Sequence, residues 1–436
     1  MHDLLKKDRI MTRKKIRKGC LKKMVVTLSL VVVCIIAFVK ACSCDDGQEG
    51  AKKTSENIVK KGEPVDTSLV SKLEKFSQQQ RPEGQFAFHV YDITADKDVY
   101  GHNDTLALPS ASCMKLLSGV AGLKLLGTDF HYWNGIYMRG KVSKDGTLKG
   151  DIAFKGSLDP QLMPTDLADF AKAVRRKGVK RIDGKLIIGL YITDPVQSEE
   201  HWYPWDLTFS RYGLFYKGED RVVKHLKASL RAQDIQVKDS QIIVTDKIRK
   251  KGFQCLHISR RHIDDVVKRM WKNSSNTQAT SMLYSIGYTL DPKADPVATG
   301  MEYLKTFIRD TLGITSPQIV IHDGCGLCTH NRLSPRSLTT IIRYGYLDSD
   351  IRASMNRNLA VSGVDGTLAR EMHSPKLRGM IKAKTGTLSH PYGISSLAGI
   401  CEAPNGHILA FAIMDSEMSV LDARVLQRKL CEILRS

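Results

Sequence analysis

The strand patterns at the two ends of the chain constrain its fold most. Near the start, residues 84–93 alternate apolar and polar side chains as a strand does, and residues 97–103 follow as the second arm of a hairpin. Near the end, further strands are predicted over Met380–Lys384, Ile394–Glu402 and His407–Asp415. Several segments between these two groups are helical in pattern. We therefore predict one sheet that both ends of the chain close together.

The middle of the chain has a different texture. With 436 residues the chain is longer than one typical compact domain. Residues 130–254 read as short strands with turns and two amphipathic helices, Asp166–Lys177 and Asp220–Ala232, and we interpret them as an inserted α+β accessory module. Residues 67–129 and 255–436 are then predicted to form the main domain.

The N-terminal arm is basic and leads into an apolar segment. Residues 1–23 hold ten Lys and Arg against two Asp, and Met24–Val39 is sixteen residues without a charge. That combination is typical of a secretion signal or of an uncleaved membrane anchor. We expect residues 1–44 to direct the chain to the cell envelope or periplasm, either as an anchor or as a lipoprotein signal that leaves a lipidated Cys42. Residues 45–66 are polar and are predicted to be a flexible tether.

The positive charge does not indicate a nucleic-acid partner. The formal net charge is +20, and the N-terminal arm alone carries eight of these charges. The other lysines and arginines are spread through the chain without basic tracts interleaved with aromatic residues, a pattern that would indicate nucleic-acid binding. We therefore expect no nucleic acid among the partners.

The cysteines and histidines offer no clear metal site in the sequence. Cys325-Gly-Leu-Cys328 is a C-x-x-C pair, but no second pair at zinc spacing accompanies it. In an exported protein we interpret it as two buried side chains or a disulfide. Cys255, His257 and His262 lack a fourth ligand. Neither a metal nor an organic cofactor is predicted.

Three short motifs carry the candidate chemistry. Ser112-Cys113-Met114-Lys115 is S-x-x-K at a predicted helix start, Ser274-Ser275-Asn276 is S-x-N at a helix connection, and Lys384-Thr385-Gly386 is K-T-G at the end of a predicted strand. Each motif is weakly specific alone. Their order, wide separation and placement on these elements together indicate one site.

The residue types suit acyl transfer. A serine hydroxyl needs a neighbouring base to become a nucleophile, and Lys115 lies on the same helix face as Ser112. Lys115 serves as a base when burial or a second cation, Lys384, lowers its pKa. The helix start favours a developing oxyanion. We expect Ser274 to relay a proton to the leaving amine and Asn276 to hold the substrate amide.

The K-T-G strand is predicted to hold the substrate. Lys384 and Thr385 suit a terminal carboxylate, and Gly386 leaves room for a substrate backbone to approach the strand. The structural alternatives are simpler. Ser112 would be only a helix N-cap, and the S-x-N triplet would only end a helix.

With these motifs the sequence resembles the class C low-molecular-mass penicillin-binding proteins, the D-alanyl-D-alanine carboxypeptidase/endopeptidase family of the S13 type. The resemblance covers residues 67–436 and includes the large insertion between the first and second motifs. Six further segments carry the resemblance: Leu108–Ser112, Arg181–Gly184, Tyr203–Asp206, Leu359–Leu368, Ala383–Leu388 and Asp323–Cys328. The last of these segments is similar to the family's DGSGLS, with cysteines at both serine positions.

The resemblance implies a fold of the α/β (α+β) class, that of the serine β-lactamases and penicillin-binding-protein transpeptidases. It implies that Ser112 is the acylated nucleophile and Lys115 its base, and that the backbone N–H groups of Ser112 and Thr387 form the oxyanion hole. The substrates would be peptidoglycan stem peptides ending in D-Ala-D-Ala, and β-lactam antibiotics would acylate the same serine. The family usually has Asp where this chain has Ser275.

Two alternative functions stay open. A β-lactamase of the same fold needs a group that activates water for deacylation, and no convincing Glu motif lies between Ser274 and Lys384. A non-catalytic envelope protein that binds peptidoglycan would not need the combination of Ser112, Lys115 and Lys384. A carboxypeptidase, with endopeptidase activity as well, fits the residues best.

Overall fold

The structure is a computed structural model of the chain. The predicted export segment, most of the predicted tether and Tyr203–Asp206 lie outside the residues that it describes. Within these residues, no helix combines the length and the apolar character that crossing a membrane requires. The described residues are 58–60, 62–202, 213–248, 251–389 and 393–436.

The described residues form ten α-helices and twelve strands. The helices are α1 Thr67–Gln78, α2 Met114–Leu126, α3 Leu167–Arg176, α4 Glu219–Arg231, α5 Ile263–Lys272, α6 Asn276–Leu290, α7 Pro296–Thr306, α8 Pro335–Leu347, α9 Ser349–Asn358 and α10 Val420–Leu434. The strands are β1 Gln85–Asp92, β2 Lys97–His102, β3 His131–Val142, β4 Thr147–Lys155, β5 Arg181–Ile182, β6 Leu186–Gly189, β7 Ile242–Thr245, β8 Gln254–His262, β9 Ala360–Val361, β10 Ile381–Leu388, β11 Ile394–Glu402 and β12 Ile408–Ser416.

The first sheet joins the two ends of the chain, as predicted. Its six strands run in the order β2-β1-β12-β11-β10-β9, and each is antiparallel to its neighbours. Strand β1 pairs with β12 along its whole length. Strand β9 pairs only with Lys382 and Ala383 of β10. Beyond Ala383 the outer edge of β10 therefore has no strand beside it among the described residues.

Helices cover both faces of the first sheet. On one face α1 and α10 pack around a core that includes Phe88 and Leu430. On the other face α2 is buried at every residue of Met114–Leu123, which suits a helix that is apolar on all sides. A Cβ atom at Gly119 would lie 2.4 Å from the ring of Trp271, so only glycine permits this approach. The helix that follows the S-x-x-K serine is thus fixed inside the protein.

A second sheet is formed within residues 131–262. Its strands run in the order β7-β6-β4-β3-β8, with the short β5 beside β4. Strands β4, β6 and β7 are parallel, whereas β3 is antiparallel to β4 and β8. Helix α3 packs on β8 and α4 packs on α3, around a core that includes Phe154, Phe170 and Leu226.

Two elements differ from the sequence predictions. Strand β10 runs to Leu388, so the K-T-G motif lies in the middle of a strand rather than at its end. Helix α9 was not predicted. Its buried apolar side chains are only Ile351 and Met355, too few for an amphipathic signal, and it forms because it packs on α5 and α8.

Candidate active site

Ser112 lies in a strained turn that leads into α2. The turn is a 3₁₀ helix, Ala111–Cys113, and Ala111 has a φ of 44°, which is uncommon for a residue with a side chain. The loop that contains Gly326 packs directly against this turn, since a Cβ at Gly326 would lie 1.8 Å from the carbonyl oxygen of Ala111. Such strain persists where the surroundings enforce it, often at functional sites. Ser112 itself is partly exposed.

Lys115 is fully buried, and its ammonium group has three hydrogen-bond partners. Nζ donates to Ser112 Oγ and to Asn276 Oδ1, each over 2.8 Å, and to the carbonyl oxygen of Cys325. These three contacts use all the hydrogens of the ammonium group. Burial lowers the pKa of Lys115, although the nearby Cys325 and Asp323 oppose the shift.

Lys384 is the second buried cation. Its Nζ donates to Ser274 Oγ over 2.8 Å and to the carbonyl oxygen of Thr385. Burial, followed by the positive charge of Lys115, lowers the pKa of Lys384 to about 7. The sequence left burial and a second cation open as causes of a lowered pKa at Lys115. Burial is the cause that lowers the pKa of Lys115, and the effect of like charge falls on Lys384.

The S-x-N motif contacts both lysines. Ser274 lies between α5 and α6 with a φ of 58°, in the left-handed region. Asn276 is the first residue of α6. The Ser274 hydroxyl accepts a hydrogen bond from Lys384, while the Asn276 amide oxygen accepts one from Lys115. The turn between the two helices therefore links the S-x-x-K and K-T-G motifs.

The predicted residues meet at one cleft. A cavity of about 320 Å³ is lined by Ser112, Ser274, Thr385 and Thr387. Lys115, Asn276 and Lys384 lie behind this wall. Lys115 donates to Ser112 and Lys384 donates to Ser274, both of which line the cavity, and Asn276 accepts a hydrogen bond from Lys115. The rest of the lining is Thr367, Leu368, Glu371, Met372, Ser395, Ser396, Arg424 and Gln427.

The threonines of β10 lie along the strand's unpaired outer stretch. Thr385 and Thr387 both follow Ala383, the last residue of β10 that pairs with β9. The Thr385 hydroxyl donates to Thr367 Oγ1 over 2.8 Å. An open strand edge offers backbone N–H and C=O groups to an extended peptide. The cleft can therefore bind a peptide by adding it to this edge.

The sequence suggested that substrate backbone would lie beside Gly386, but the structure places Ser396 and Ser110 there. A Cβ atom there would lie 2.1 Å from Ser396 Oγ and 2.7 Å from the carbonyl oxygen of Ser110. Ser396 also donates to that carbonyl oxygen, over 2.7 Å. The space beside Gly386 is therefore occupied by the turn that precedes Ser112. The glycine lets this turn pack against β10 and does not itself line the described cleft.

Asp323 organises the site, and the three motifs gave no indication of it. Its carboxylate accepts hydrogen bonds from the backbone N–H groups of Cys325 and Cys328, over 2.9 and 2.7 Å. The indole N–H of Trp202 donates to the same carboxylate over 2.8 Å. These bonds fix the loop whose Cys325 carbonyl oxygen receives the ammonium group of Lys115. An Asp before a glycine-containing turn is the available sequence signal.

The cysteines near the site are structural. Cys113 is buried, and its thiol donates to the carbonyl oxygen of Lys384 over 3.2 Å. Burial raises the pKa of the Cys113 thiol. Cys325 and Cys328 are also buried, and both are free thiols. The disulfide that the C-x-x-C spacing allowed is not formed.

The fold and the site define a serine enzyme of the penicillin-binding type. A serine and lysine on one helical turn, completed by S-x-N and K-T-G groups, is the arrangement of that class. The sequence model of the D-Ala-D-Ala carboxypeptidase 3 (S13) family matches residues 69–212 and 216–436. The chain belongs to this family, as its motifs indicated.

Individual relatives agree with this assignment. The D-alanyl-D-alanine carboxypeptidase DacB of Haemophilus influenzae is 22% identical over 417 residues, which cover 76% of this chain and 86% of the relative. The crystal structure of penicillin-binding protein 4 from that organism superposes with a TM-score of 0.70 at 19% identity, covering 84% of this chain and 99% of the other. A penicillin G-acylated predatory endopeptidase of Bdellovibrio bacteriovorus, solved with an immunity protein, superposes with a TM-score of 0.51 at 17% identity, covering 80% and 91%. The predicted fold class is confirmed.

Proposed function

We propose that this chain is a serine-type D-Ala-D-Ala carboxypeptidase that acts on peptidoglycan stem peptides through an acyl-enzyme, with endopeptidase activity as well. The observation that carries the proposal is the 2.8 Å hydrogen bond between Lys115 Nζ and Ser112 Oγ, made by a buried lysine at the wall of the cleft. The family membership and the carboxypeptidase DacB support the same activity.

Ser112 is the proposed nucleophile. Its Oγ attacks the carbonyl carbon of the D-Ala-D-Ala bond, and the neutral amine of Lys115 takes the hydroxyl proton. The C–O bond that forms gives a tetrahedral oxyanion, which the backbone N–H groups of Ser112 and Thr387 stabilise. Burial disfavours the charged form of Lys115 and so increases the fraction of Lys115 that is a neutral amine.

The leaving amine needs a proton and the terminal carboxylate needs a cation. The Ser274 hydroxyl, bonded to Lys384, is placed to deliver the proton as the C–N bond breaks. Lys384 and Thr385 bind the carboxylate of the departing D-alanine, and Asn276 holds the substrate amide. Gly386 contributes by letting the nucleophile turn approach β10. Water then hydrolyses the ester at Ser112 and releases the shortened peptide.

β-Lactam antibiotics are proposed to acylate the same serine. Their acylation of a relative of this fold, the Bdellovibrio endopeptidase, supports this. We infer slow release of the antibiotic, since deacylation needs a group that activates water. Glu371 is the acidic side chain among the residues described along the cleft, and it forms an ion pair with Arg424 at 3.3 Å.

The domain assignment is part of the proposal. We infer that residues 67–129 and 255–436 form the catalytic domain and that residues 130–254 form an accessory module. The side chains of the three motifs all come from the first two segments, and the second sheet has its own core. The second sheet extends past the boundary at residue 254, because its strand β8 runs from Gln254 to His262.

We also propose that residues 1–44 export the chain to the cell envelope or periplasm. The basic flank and the uncharged stretch Met24–Val39 support a membrane association, either as an anchor or through a lipidated Cys42. Mass spectrometry of the mature N-terminus distinguishes these two forms. An unprocessed N-terminus in a cytoplasmic fraction would contradict both.

Fluorescent penicillin labelling tests the nucleophile. We expect covalent labelling of the full chain, no labelling of Ser112→Ala, and parent-like labelling of the control Ser71→Ala, an exposed serine on α1. Equal labelling of Ser112→Ala and the parent would place the nucleophile elsewhere.

Two assays separate the alternative functions. Release of D-alanine from a pentapeptide is expected, whereas a protein that only binds peptidoglycan would release none. Fast, sustained hydrolysis of nitrocefin would instead indicate a β-lactamase.

A further inference from the structure

A second cluster of chemically active side chains lies outside the cleft. Glu199, His201, His322 and Cys328 each offer one ligand atom, and these atoms all lie within 4.8 Å of one another. None of the four belongs to the three catalytic motifs. The cluster combines a carboxylate, two imidazoles and a thiol, which is the donor set that zinc takes in proteins.

The geometry is close to that of a tetrahedral site. Ligand atoms about 2.0–2.3 Å from a zinc ion lie about 3.3–3.8 Å from one another. The Oε1 atom of Glu199 lies 3.8 Å from His322 Nδ1 and 2.6 Å from His201 Nδ1. Small rotations of partly exposed side chains therefore suffice to place the four atoms around one ion.

The burial of the cluster also suits a bound ion. Cys328 is 1% exposed, whereas the side chains of Glu199, His201 and His322 are 19%, 27% and 33% exposed. An ion can thus enter from solvent and bind a sulfur at the base of the cluster. His330 borders the cluster, with its Nδ1 4.0 Å from Cys328 Sγ and its ring centroid 4.3 Å from that of His201.

The four residues come from two separate parts of the chain. Glu199 and His201 lie in the segment that follows β6, whereas His322 and Cys328 flank the loop that contains Asp323. One direct bond already joins the two segments, from the indole N–H of Trp202 to the Asp323 carboxylate.

We propose that Glu199, His201, His322 and Cys328 bind one zinc-class divalent cation that fastens these two segments together. On binding, the Cys328 thiol releases its proton to solvent and the sulfur bonds the metal as a thiolate. The ion then braces the Asp323–Cys328 loop, whose Cys325 carbonyl oxygen accepts a hydrogen bond from Lys115. Its role is structural, since its four ligands leave no open position for substrate.

Titration of the metal-free full chain with Co²⁺ alone tests the site. We expect one equivalent to bind, with a thiolate-to-cobalt charge-transfer band and the intense visible bands of tetrahedral Co²⁺, and Zn²⁺ to displace it. Cys328→Ser is expected to abolish the charge-transfer band. His201→Ala and His322→Ala each remove one ligand. Each is expected to weaken Co²⁺ binding by at least about tenfold, because mutation of a residue that only supports a ligand usually weakens metal binding by that much.

Matched controls come from residues of the same types elsewhere. Cys255→Ser removes an exposed free thiol and His225→Ala a histidine on α4, and neither change is expected to alter the titration. His322 is partly exposed, so His322→Gln, which keeps a polar side chain of similar size, serves as a second variant should His322→Ala not fold. In the unchanged parent, a chelator is expected to lower the thermal unfolding temperature and Zn²⁺ to restore it.

Failure of this proposal is distinct from failure of the catalytic one, because the titration does not depend on turnover. No saturable Co²⁺ binding in the parent would overturn it. So would binding that persists unchanged in Cys328→Ser and His322→Gln, which would indicate an adventitious ion only. Penicillin labelling of Ser112 would stand in either case.

Discussion

The Nζ atom of Lys115 lies 2.8 Å from the Oγ atom of Ser112. The two residues are three positions apart, across the junction of a 3₁₀ turn and α2, so the backbone sets their separation. The other two hydrogen bonds of the Lys115 ammonium group go to Asn276 and to the carbonyl oxygen of Cys325. The fold itself therefore holds the proposed nucleophile and base within hydrogen-bond distance.

Lys115→Met tests the base. The methionine fills the buried volume but cannot take the proton of Ser112, so we expect the rate of penicillin acylation to fall by at least about 100-fold. Lys124→Met on the same helix is the control, because Lys124 is 48% exposed and forms an ion pair with Asp348 at the surface. Stopped-flow labelling measures both rates. Equal rates for the two variants would show that another group is the base.

The pH dependence of D-alanine release tests Lys384, whose pKa is lowered to about 7. We propose that its protonated form binds the substrate carboxylate, so kcat/KM is expected to fall as pH rises through about 7. Lys115 acts as a base only in its neutral form, so protonation of Lys115, whose pKa burial lowers, is expected to reduce kcat/KM as well. Lys384→Arg stays protonated at every accessible pH. The alkaline limb should therefore disappear in this variant, and its survival at the same pH would exclude Lys384 as its origin.

Ser274 can be tested for catalysis and strain separately. Ser274→Ala and Ser274→Gly both lose the hydroxyl, and we expect both to release D-alanine at least about 100-fold more slowly than the parent. The φ of 58° strains alanine but not glycine. Urea denaturation is therefore expected to show Ser274→Gly more stable than Ser274→Ala by about 1 kcal/mol. Equal rates in the parent and both variants would remove Ser274 from the mechanism.

Asp415 on β12 is predicted to destabilise the folded protein at neutral pH. It is 1% exposed, and neither carboxylate oxygen has a hydrogen-bond partner among the described residues. Burial raises the pKa of Asp415 well above its ordinary value, more than the nearby Gln427 lowers it. The pKa of Asp415 is higher in the folded than in the unfolded protein. Asp415 therefore does not lower the free energy of unfolding below a pH of about 3.9, and stability is lost as the pH rises from there towards the folded-state pKa.

Asp415→Asn removes this dependence. We expect urea unfolding at pH 7 to show a gain of more than about 1 kcal/mol, and the gain to vanish in acid. Asp422→Asn, at an exposed position in the first turn of α10, is the control and should show no such gain. A loss of stability at pH 7 for Asp415→Asn would mean that the carboxylate has a favourable role.

The sequence was sufficient for the parts of the fold that depend on local pattern. Strands β1, β11 and β12 fall where alternation or apolar runs predicted them. The three motifs were predicted to meet, and the structure brings Ser112, Lys115, Ser274, Asn276 and Lys384 together. Motif spacing was informative here because each motif sits at the end or in the middle of one element, with its side chains on one face.

Contacts between distant segments could not be predicted in this way. The space beside Gly386 was assigned to substrate, but it is filled by Ser396 and the Ser110 carbonyl group, which belong to other segments. The sequence also gave no indication that Glu199 and His322 lie in one cluster. Residues far apart in the chain meet only through the packing of whole elements, so local spacing carries no sign of them. The histidines considered for a metal, His257 and His262, lie on β8 instead.

The pairing of β1 with β12 has a consequence for how the enzyme is made. The strand that precedes the nucleophile has no neighbour on one side until residues 408–416 have been synthesised. Until then Ser112 and Lys115 exist in the nascent polypeptide, but the sheet lacks β12, the strand that lies between β1 and the β11–β10 pair on which Lys384 lies. We therefore expect a chain that ends before residue 408 to lack the complete first sheet and to release no D-alanine.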